Sequence, residues 1–193
     1  MVLAGGRSSR FGSDKLAVVY RGQPLLQHAV TRLAEACGRV VLVLAPDADA
    51  PSVPPGLPVT MARDATAFDG PLAGLASALP LVPTSWVMVV AGDMPDLSPP
   101  VLLEMLRVAE EAHVDLVALE DDGRARPLPC VAATATAREV VPALLHAGER
   151  RFRALLDACR VAVIDEATWT ALDPRRGTLH DVDVPTDLLG DEA

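Results

Sequence analysis

The 193-residue chain predicts an α/β protein with a mostly parallel sheet covered by helices on both faces, a three-layer arrangement. Three observations carry that expectation. Residues 40–45 and 86–91 are continuous apolar runs, typical of strands buried on both faces of a parallel sheet. Stretches of helical periodicity alternate with such runs through most of the chain. The first apolar stub, residues 1–4, also runs straight into a glycine-rich loop, Gly5 to Lys15. In sheets of this kind ligands bind outside the C-terminal ends of the strands, where that loop begins.

Each element follows from local residues. Pro24 opens a helix whose apolar face is Leu25, Leu26, Ala29, Val30, Leu33 and Ala36, and Gly38 ends it. The strand at 40–45 leads into a proline-rich loop (Pro46, Pro51, Pro54, Pro55, Pro58) and a strand at 59–62. A short helix is expected over 72–79 and a second fully buried strand over 86–91. Residues 99–112 read as a helix with proline at its start, where the missing N–H costs nothing. Ser98 is placed to cap it. Strands at 114–119 and 128–132 are joined by the polar turn Asp121-Asp122-Gly123. Helices follow at 140–146 and 151–158, then a strand at 161–164 and a last short helix beginning at Pro185. There is no internal repeat and no linker, so residues 1–193 are expected to form a single domain.

Composition narrows the function classes. Half of the residues are apolar but only 3% are aromatic, so the core must be aliphatic and alanine-rich. A formal net charge of −9 excludes a general attraction for nucleic acid or anionic lipid. A phosphorylated ligand would therefore need a local positive patch. Cys37, Cys130 and Cys159 are odd in number and widely spaced, matching neither a disulfide framework nor a C-x-x-C zinc site. They read as small core hydrophobes in a reducing, cytoplasmic setting. The apolar runs fall short of the ~20 residues that span a bilayer. No signal-peptide pattern precedes the loop, and only residues 1–4 remain for the first strand, which leaves room for a start further upstream.

The loop supplies that patch. Gly5 and Gly6 let the main chain approach an anion closely, and successive N–H groups in such a turn form an anion-binding concavity. Arg7, Arg10 and Lys15 add full positive charge, Lys15 from what reads as an exposed loop. The spacing excludes a Walker A loop, because Lys15 follows Asp14 and lies three residues past Gly12. It equally excludes the G-x-G-x-x-G dinucleotide fingerprint.

Further along, Asp93 in Ala-Gly-Asp-Met-Pro follows the buried strand at 86–91, where a carboxylate points into the ligand crevice. Helix capping is its other role, though Ser98 stands closer to that helix. Asp181 and Asp183 occupy alternate positions of an extended segment and so project to one side, either onto a shared ion or into a solvated turn. Gly74, inside a helix, costs ~1 kcal/mol relative to alanine. It is explained either by a ligand near the backbone or by close helix–sheet packing. The four histidines form no metal-ligand spacing.

Leu3-Ala4-Gly5-Gly6 through Arg10, Gly12, Asp14 and Lys15 resembles the L-A-G-G-x-x-x-R-x-G-x-D-K signature of the molybdenum cofactor guanylyltransferases. These belong to the small nucleotidyltransferases with a Rossmann-like fold. The resemblance extends to Gly70-Pro71-Leu72-Ala73-Gly74, similar to the G-P-L-A-G motif packed against guanine, and to Asp64, similar to the aspartate of the guanine-nucleotide site. Asp93 matches the Mg²⁺-holding aspartate of the C-D-x-P motif, although Gly92 stands where the family has cysteine. Gly148-Glu149-Arg150-Arg151 resembles a G-E-R-x segment on the molybdopterin side. Asp181 and Asp183 replace the asparagines of an N-x-N-x-P segment, with Asp183 a metal or acceptor contact.

The resemblance implies transfer of GMP from GTP to the terminal phosphate of Mo-molybdopterin, with Mg²⁺ as cofactor. It implies catalytic roles for Arg10, Lys15 and Asp93, and a binding set of Leu3, Ala4, Gly5, Gly6, Lys15, Asp64, Gly70, Gly74, Asp93 and Arg151. Molybdoenzyme apoproteins or other cofactor-biosynthesis proteins are the implied protein partners. Two other readings fit the same residues: a cytidylyltransferase or another small nucleotidyltransferase with a phosphorylated acceptor, and a nucleotide-binding regulatory protein without turnover.

Overall fold

The computed structural model describes residues 1–5, 15–64, 69–184 and 187. In chain order the described strands are β1 (Val2–Leu3), β2 (Val19–Tyr20), β3 (Gln23–Pro24), β4 (Val40–Leu44), β5 (Val59–Arg63), β6 (Trp86–Ala91), β7 (Leu116–Asp121), β8 (Arg124–Ala133) and β9 (Val161–Ile164). The α-helices are α1 (Leu25–Ala36), α2 (Pro71–Ala78), α3 (Pro99–Glu111), α4 (Thr134–His146), α5 (Arg153–Ala158) and α6 (Glu166–Leu172). The main sheet has the order β5-β4-β1-β6-β8-β7-β9, and β2 pairs with β3 in a separate small hairpin.

Neighbours β5–β4, β4–β1, β1–β6 and β7–β9 are parallel, while β8 runs antiparallel to both β6 and β7. The mostly parallel sheet expected from the buried apolar runs is thus present, with one reversed strand. That reversal comes from the turn at Asp122-Gly123, whose φ values of 49° and 72° suit the two-residue hairpin linking β7 to β8.

Helices cover both faces. On one face α1, α3 and α6 pack Leu26, Val30, Leu33, Leu102, Met105 and Trp169 over Val40, Leu42, Val90 and Val117. On the other, α2, α4 and α5 pack Leu72, Leu75, Val141 and Leu155 over Val43, Val89 and Leu116. Leu26 and Leu33 are almost wholly removed from water. Each such side chain contributes about 1.5–3 kcal/mol of burial free energy. The core is aliphatic, as the composition requires. All three cysteines are free thiols, Cys130 being fully buried, and burial pushes each one's pKa up.

Several local expectations are refined. Ser98 occupies the N-cap position of α3 but its side chain makes no capping bond. Pro99 and Pro100 remove the first N–H groups that a cap would serve. Ser98 instead donates its backbone N–H to Thr178 Oγ1 at 3.1 Å. Helix α4 begins at Thr134, well before residue 140, because Thr134, Ala137 and Val141 form one buried helical stripe. Two elements had no counterpart in the sequence reading. One is the β2–β3 hairpin, turning through Arg21 and Gly22 at positive φ. The other is α6, capped by the Asp165 carboxylate accepting from the Thr168 N–H. The helix expected from Pro185 lies outside the described residues.

Strand order fixes where the site lies. The chain passes from β1 to β4 and β5 on one side, then crosses to β6 on the other side of β1. The crevice beyond the C-terminal ends of β1 and β6 is therefore the topological switch point of the sheet.

Candidate active site

A cleft opens at that switch point. Its walls are the end of β1 with Leu3, Ala4 and Gly5, Val43 of β4, Asp64 after β5, Gly70 and Gly74 around the start of α2, Ala91 at the end of β6 with Gly92 and Asp93 beyond it, Lys15, and Leu128 of β8. Most of the binding residues named from sequence are thus brought together from four strand ends. Gly6 and Arg10 lie outside the described residues.

Lys15 is the charged centre of the cleft. It opens a 3-10 turn, Lys15–Ala17, and its residue surface is only 8% exposed, so the expected exposed loop position is corrected. Its Nζ donates to Asp93 Oδ2 at 2.8 Å and to Asp183 Oδ1 at 3.3 Å. The two carboxylates singled out as metal ligands are therefore neighbours, and a cation already lies between them. Asp181 is close enough to feel both. Burial first, then the charges of Asp93 and Asp183, raise its pKa to about 6, against the opposing influence of Arg126.

The carboxylates converge because the C-terminal segment is laid along the loop after β6. Val182 donates its N–H to the Asp93 carbonyl at 3.0 Å. The Val182 side chain is buried against Tyr20 and Leu25. With Val182 turned inward, its flanking residues Asp181 and Asp183 face the opposite way, as the alternation of extended chain requires.

The far end of the cleft is lined by Leu3 and Val43, by the backbone at Gly70 and Gly74, and by one carboxylate. Asp64 is 8% exposed, and its Oδ1 accepts from Ser77 Oγ at 2.9 Å. A Cβ on Gly74 would meet Asp64, Leu3 and Val43 at 3.5 Å, ordinary contact. Helix–sheet packing alone therefore does not demand glycine there, and the space it leaves belongs to the cleft. Gly92 differs, since a Cβ would come within 3.1 Å of Leu26 and 3.3 Å of Leu16. Those two leucines fill the room beside the backbone that carries Asp93.

Gly70 has φ 88°, and a Cβ on it would sit 2.7 Å from the Arg150 carbonyl. Gly70→Ala is expected to destabilise the fold by about 1–3 kcal/mol through this strain and clash. Chemical denaturation is the measurement, and an unchanged midpoint would show that the loop yields freely.

The Gly148-Glu149-Arg150-Arg151 segment divides its work. Arg150 braces the loop ahead of α2, donating to Asp69 Oδ1 at 2.6 Å and to two backbone carbonyls. Arg151 has a side chain 82% exposed, pairs with Glu149 at 3.6 Å, and lines a separate shallow groove with Arg153 and Asp157.

Arg126, which the sequence reading passed over, reaches from β8 to Asp181 at 3.2 Å and to Asp121 at 3.6 Å. Nothing in a basic residue between alanine and proline signals this; the hairpin places it. The acidic group Asp121, Asp122 and Glu166 could hold a cation by its spacing. It lies at the β7–β8 turn, away from the cleft walls, and Arg176 already pairs with Asp121 and Glu166. Among the described residues no helix is long and apolar enough to cross a membrane.

The chain is 35% identical over 159 residues to a probable molybdenum cofactor guanylyltransferase of Deinococcus radiodurans, covering 79% of this chain and 75% of that protein. It is 32% identical over 196 residues to a probable molybdenum cofactor guanylyltransferase of Chloroflexus aggregans, covering 97% and 90%. Its fold is similar to the crystal structure of molybdopterin-guanine dinucleotide biosynthesis protein A from Archaeoglobus fulgidus, with a TM-score of 0.76, 21% identity and coverage of 97% and 93%. The family model of the MobA-like NTP transferase domain matches residues 1–163, so the chain belongs to that nucleotidyltransferase family.

Proposed function

We propose that the protein transfers GMP from GTP to the terminal phosphate of Mo-molybdopterin, releasing pyrophosphate and forming the guanine dinucleotide cofactor, with residues 1–193 acting as one cytoplasmic domain. The observation that carries this reading is the placement of Lys15 against Asp93 and Asp183 at the switch point of the sheet. The reading is further supported by curated relatives that bear the guanylyltransferase name.

The chemistry follows from the groups present. The nucleophile is an oxygen of the acceptor phosphate, largely ionised because the second pKa of a phosphate monoester lies near ~6. That oxygen forms a bond to the α-phosphorus of GTP. The bond from α-phosphorus to the bridging oxygen breaks, and pyrophosphate leaves with the electron pair. No general base is required, consistent with the histidines' positions: His28 bonds the Tyr20 carbonyl and His180 faces Asp96.

The site's task is to hold two anionic phosphates in line and to stabilise charge as the new bond forms. Leu3, Ala4, Gly5, Gly6, Asp64, Gly70 and Gly74 would hold the guanine nucleotide, while Lys15 and Arg10 neutralise its phosphates. Arg151 would serve the acceptor side. The donor set of Asp93 and Asp183, all carboxylate oxygen with the half-buried Asp181 beside it, fits a hard divalent cation such as Mg²⁺. When bound there, Mg²⁺ would supply charge neutralisation to phosphate oxygens. Product would pass to molybdoenzyme apoproteins or other cofactor-biosynthesis proteins.

Base preference tests the reading. Polar groups arranged for guanine would be left unpaired against cytosine, at ~1–3 kcal/mol per group. GTP is therefore expected to exceed CTP in kcat/KM by at least about tenfold. Steady-state rates with purified molybdopterin and each nucleotide decide it, and a preference for CTP overturns guanylyl transfer while keeping nucleotidyl transfer.

A further inference from the structure

Asp96 lies three residues beyond Asp93, in the loop between β6 and α3, and is not part of the cleft wall. It nevertheless gathers three segments of the chain. Its Oδ2 accepts from Tyr20 Oη at 2.8 Å, and its Oδ1 accepts from Arg21 Nη1 at 2.8 Å. His180 Nδ1 approaches the same Oδ2 at 3.2 Å. Tyr20 and Arg21 belong to the β2–β3 hairpin, and His180 precedes Asp181 and Asp183 directly.

Each of those segments bears one charged group of the cleft. The hairpin follows the turn containing Lys15, with the Val18 N–H bonded to the Lys15 carbonyl and the Leu25 N–H to the Val18 carbonyl. Tyr20 is closely packed within it. It is 3% exposed, its ring meets His28 edge-on, and the Arg21 guanidinium lies over its face at 4.7 Å. The Asp96 loop itself bears Asp93. On the third side, a Cβ at Gly177 would fall 2.7 Å from the Asp96 carbonyl, so this glycine lets the C-terminal segment press directly on the loop.

A carboxylate suits this junction. Ionised, it has two oxygens and only acceptor sites, and it meets a phenol, a guanidinium and an imidazole, all able to donate. No apolar side chain could hold three polar segments in one register.

We propose that Asp96 is the positioning residue that sets Lys15, Asp93 and Asp183 in place relative to one another. It acts on the cation and phosphate side of the cleft and leaves the Asp64, Gly70 and Gly74 end untouched. The proposal rests on the reading of Asp93 and Asp183 as cation ligands given above.

The test uses Asp96→Ala, Asp96→Asn and Tyr20→Phe in the full chain, with Mn²⁺ as the probe of the cation site. Mn²⁺ binding is read by electron paramagnetic resonance without nucleotide, and GTP binding by calorimetry without metal. Asp96→Ala is expected to weaken Mn²⁺ binding about 10–100-fold, the usual range for losing a group that orients a ligand. Metal-free GTP affinity is expected to fall by less than Mn²⁺ affinity, because the bonds of Asp96 reach none of the residues at the Asp64, Gly70 and Gly74 end and the nucleotide keeps those contacts. Asp96→Asn, which keeps one acceptor oxygen for Tyr20, and Tyr20→Phe, which removes the Tyr20 bond to Asp96 and leaves the carboxylate in place, are expected to fall between. Should Asp96→Ala fail to fold, those two variants carry the same comparison.

Parental Mn²⁺ affinity in the variants overturns the proposal, and so does an equal loss of Mn²⁺ and GTP binding, which would mark a general loosening. Asp93→Asn run in parallel separates the two readings. If it leaves Mn²⁺ binding at the parental level, Asp93 is not a ligand, and the reading of the cation site on which the proposal rests falls with the proposal.

Discussion

Lys15→Ala is expected to lower kcat for nucleotidyl transfer by about 10²–10³-fold, the range found when one donor to a developing oxyanion is removed. The same change is expected to tighten divalent-cation binding in the absence of nucleotide. In the structure the Lys15 ammonium stands 2.8 Å from Asp93 and 3.3 Å from Asp183, so a metal ion held by these carboxylates would compete with Lys15. Removing the lysine also leaves those carboxylates without their cation, and the melting temperature should fall. Added Mg²⁺ should then restore more stability to the variant than to the parent. A differential scanning experiment across Mg²⁺ concentrations, together with a transfer assay, reads both effects. Near-parental kcat/KM would remove Lys15 from the mechanism, and weaker cation binding would show that Lys15 supports the cation site instead of occupying it.

Asp93→Asn is the second large effect. The amide keeps the shape of the side chain and loses the charge that holds a hard cation. A bound metal contributes several kcal/mol of charge stabilisation. At ~1.4 kcal/mol per tenfold, transfer should drop by about 10²-fold or more. Metal-free GTP binding should change much less, because Asp93 is bonded to Lys15 and makes no bond to Asp64, Gly70 or Gly74. The rate measured against Mg²⁺ concentration is the readout. A parental Mg²⁺ dependence would make Asp183 the principal ligand.

How far the sequence reached can be judged from particular residues. The buried runs of β4 and β6 and the periodicity of α1 are local patterns, imposed by burial on residues near one another in the chain. They were legible for that reason. Trp86–Ala91 as read from sequence matches β6 residue for residue, and β4 differs only in excluding Ala45. The start of α4 was less legible, because Thr134 to Arg138 alternates small and polar residues and shows its buried stripe only once packed. Helix α6 was missed although Asp165 and Thr168 carry a capping signal, since the stretch holds a single large apolar anchor, Trp169.

For the site, the residue types able to meet phosphate and metal are legible in the chain alone: the glycines after β1, Lys15, Asp93 and the Asp181/Asp183 pair. Their chemistry is a property of each side chain and of short spacing. The tertiary structure alone decided their arrangement. It brought Lys15 and Asp183 together across 168 positions of chain, buried Lys15 where the sequence suggested exposure, and made Arg150 a brace beside Gly70 while leaving the Arg151 side chain exposed in a separate groove. Arg126 and Asp96 became visible only there. Ion pairs between distant segments depend on strand order and loop contact, and a sheet's crossover at β1 leaves no trace in the spacing of the residues it unites.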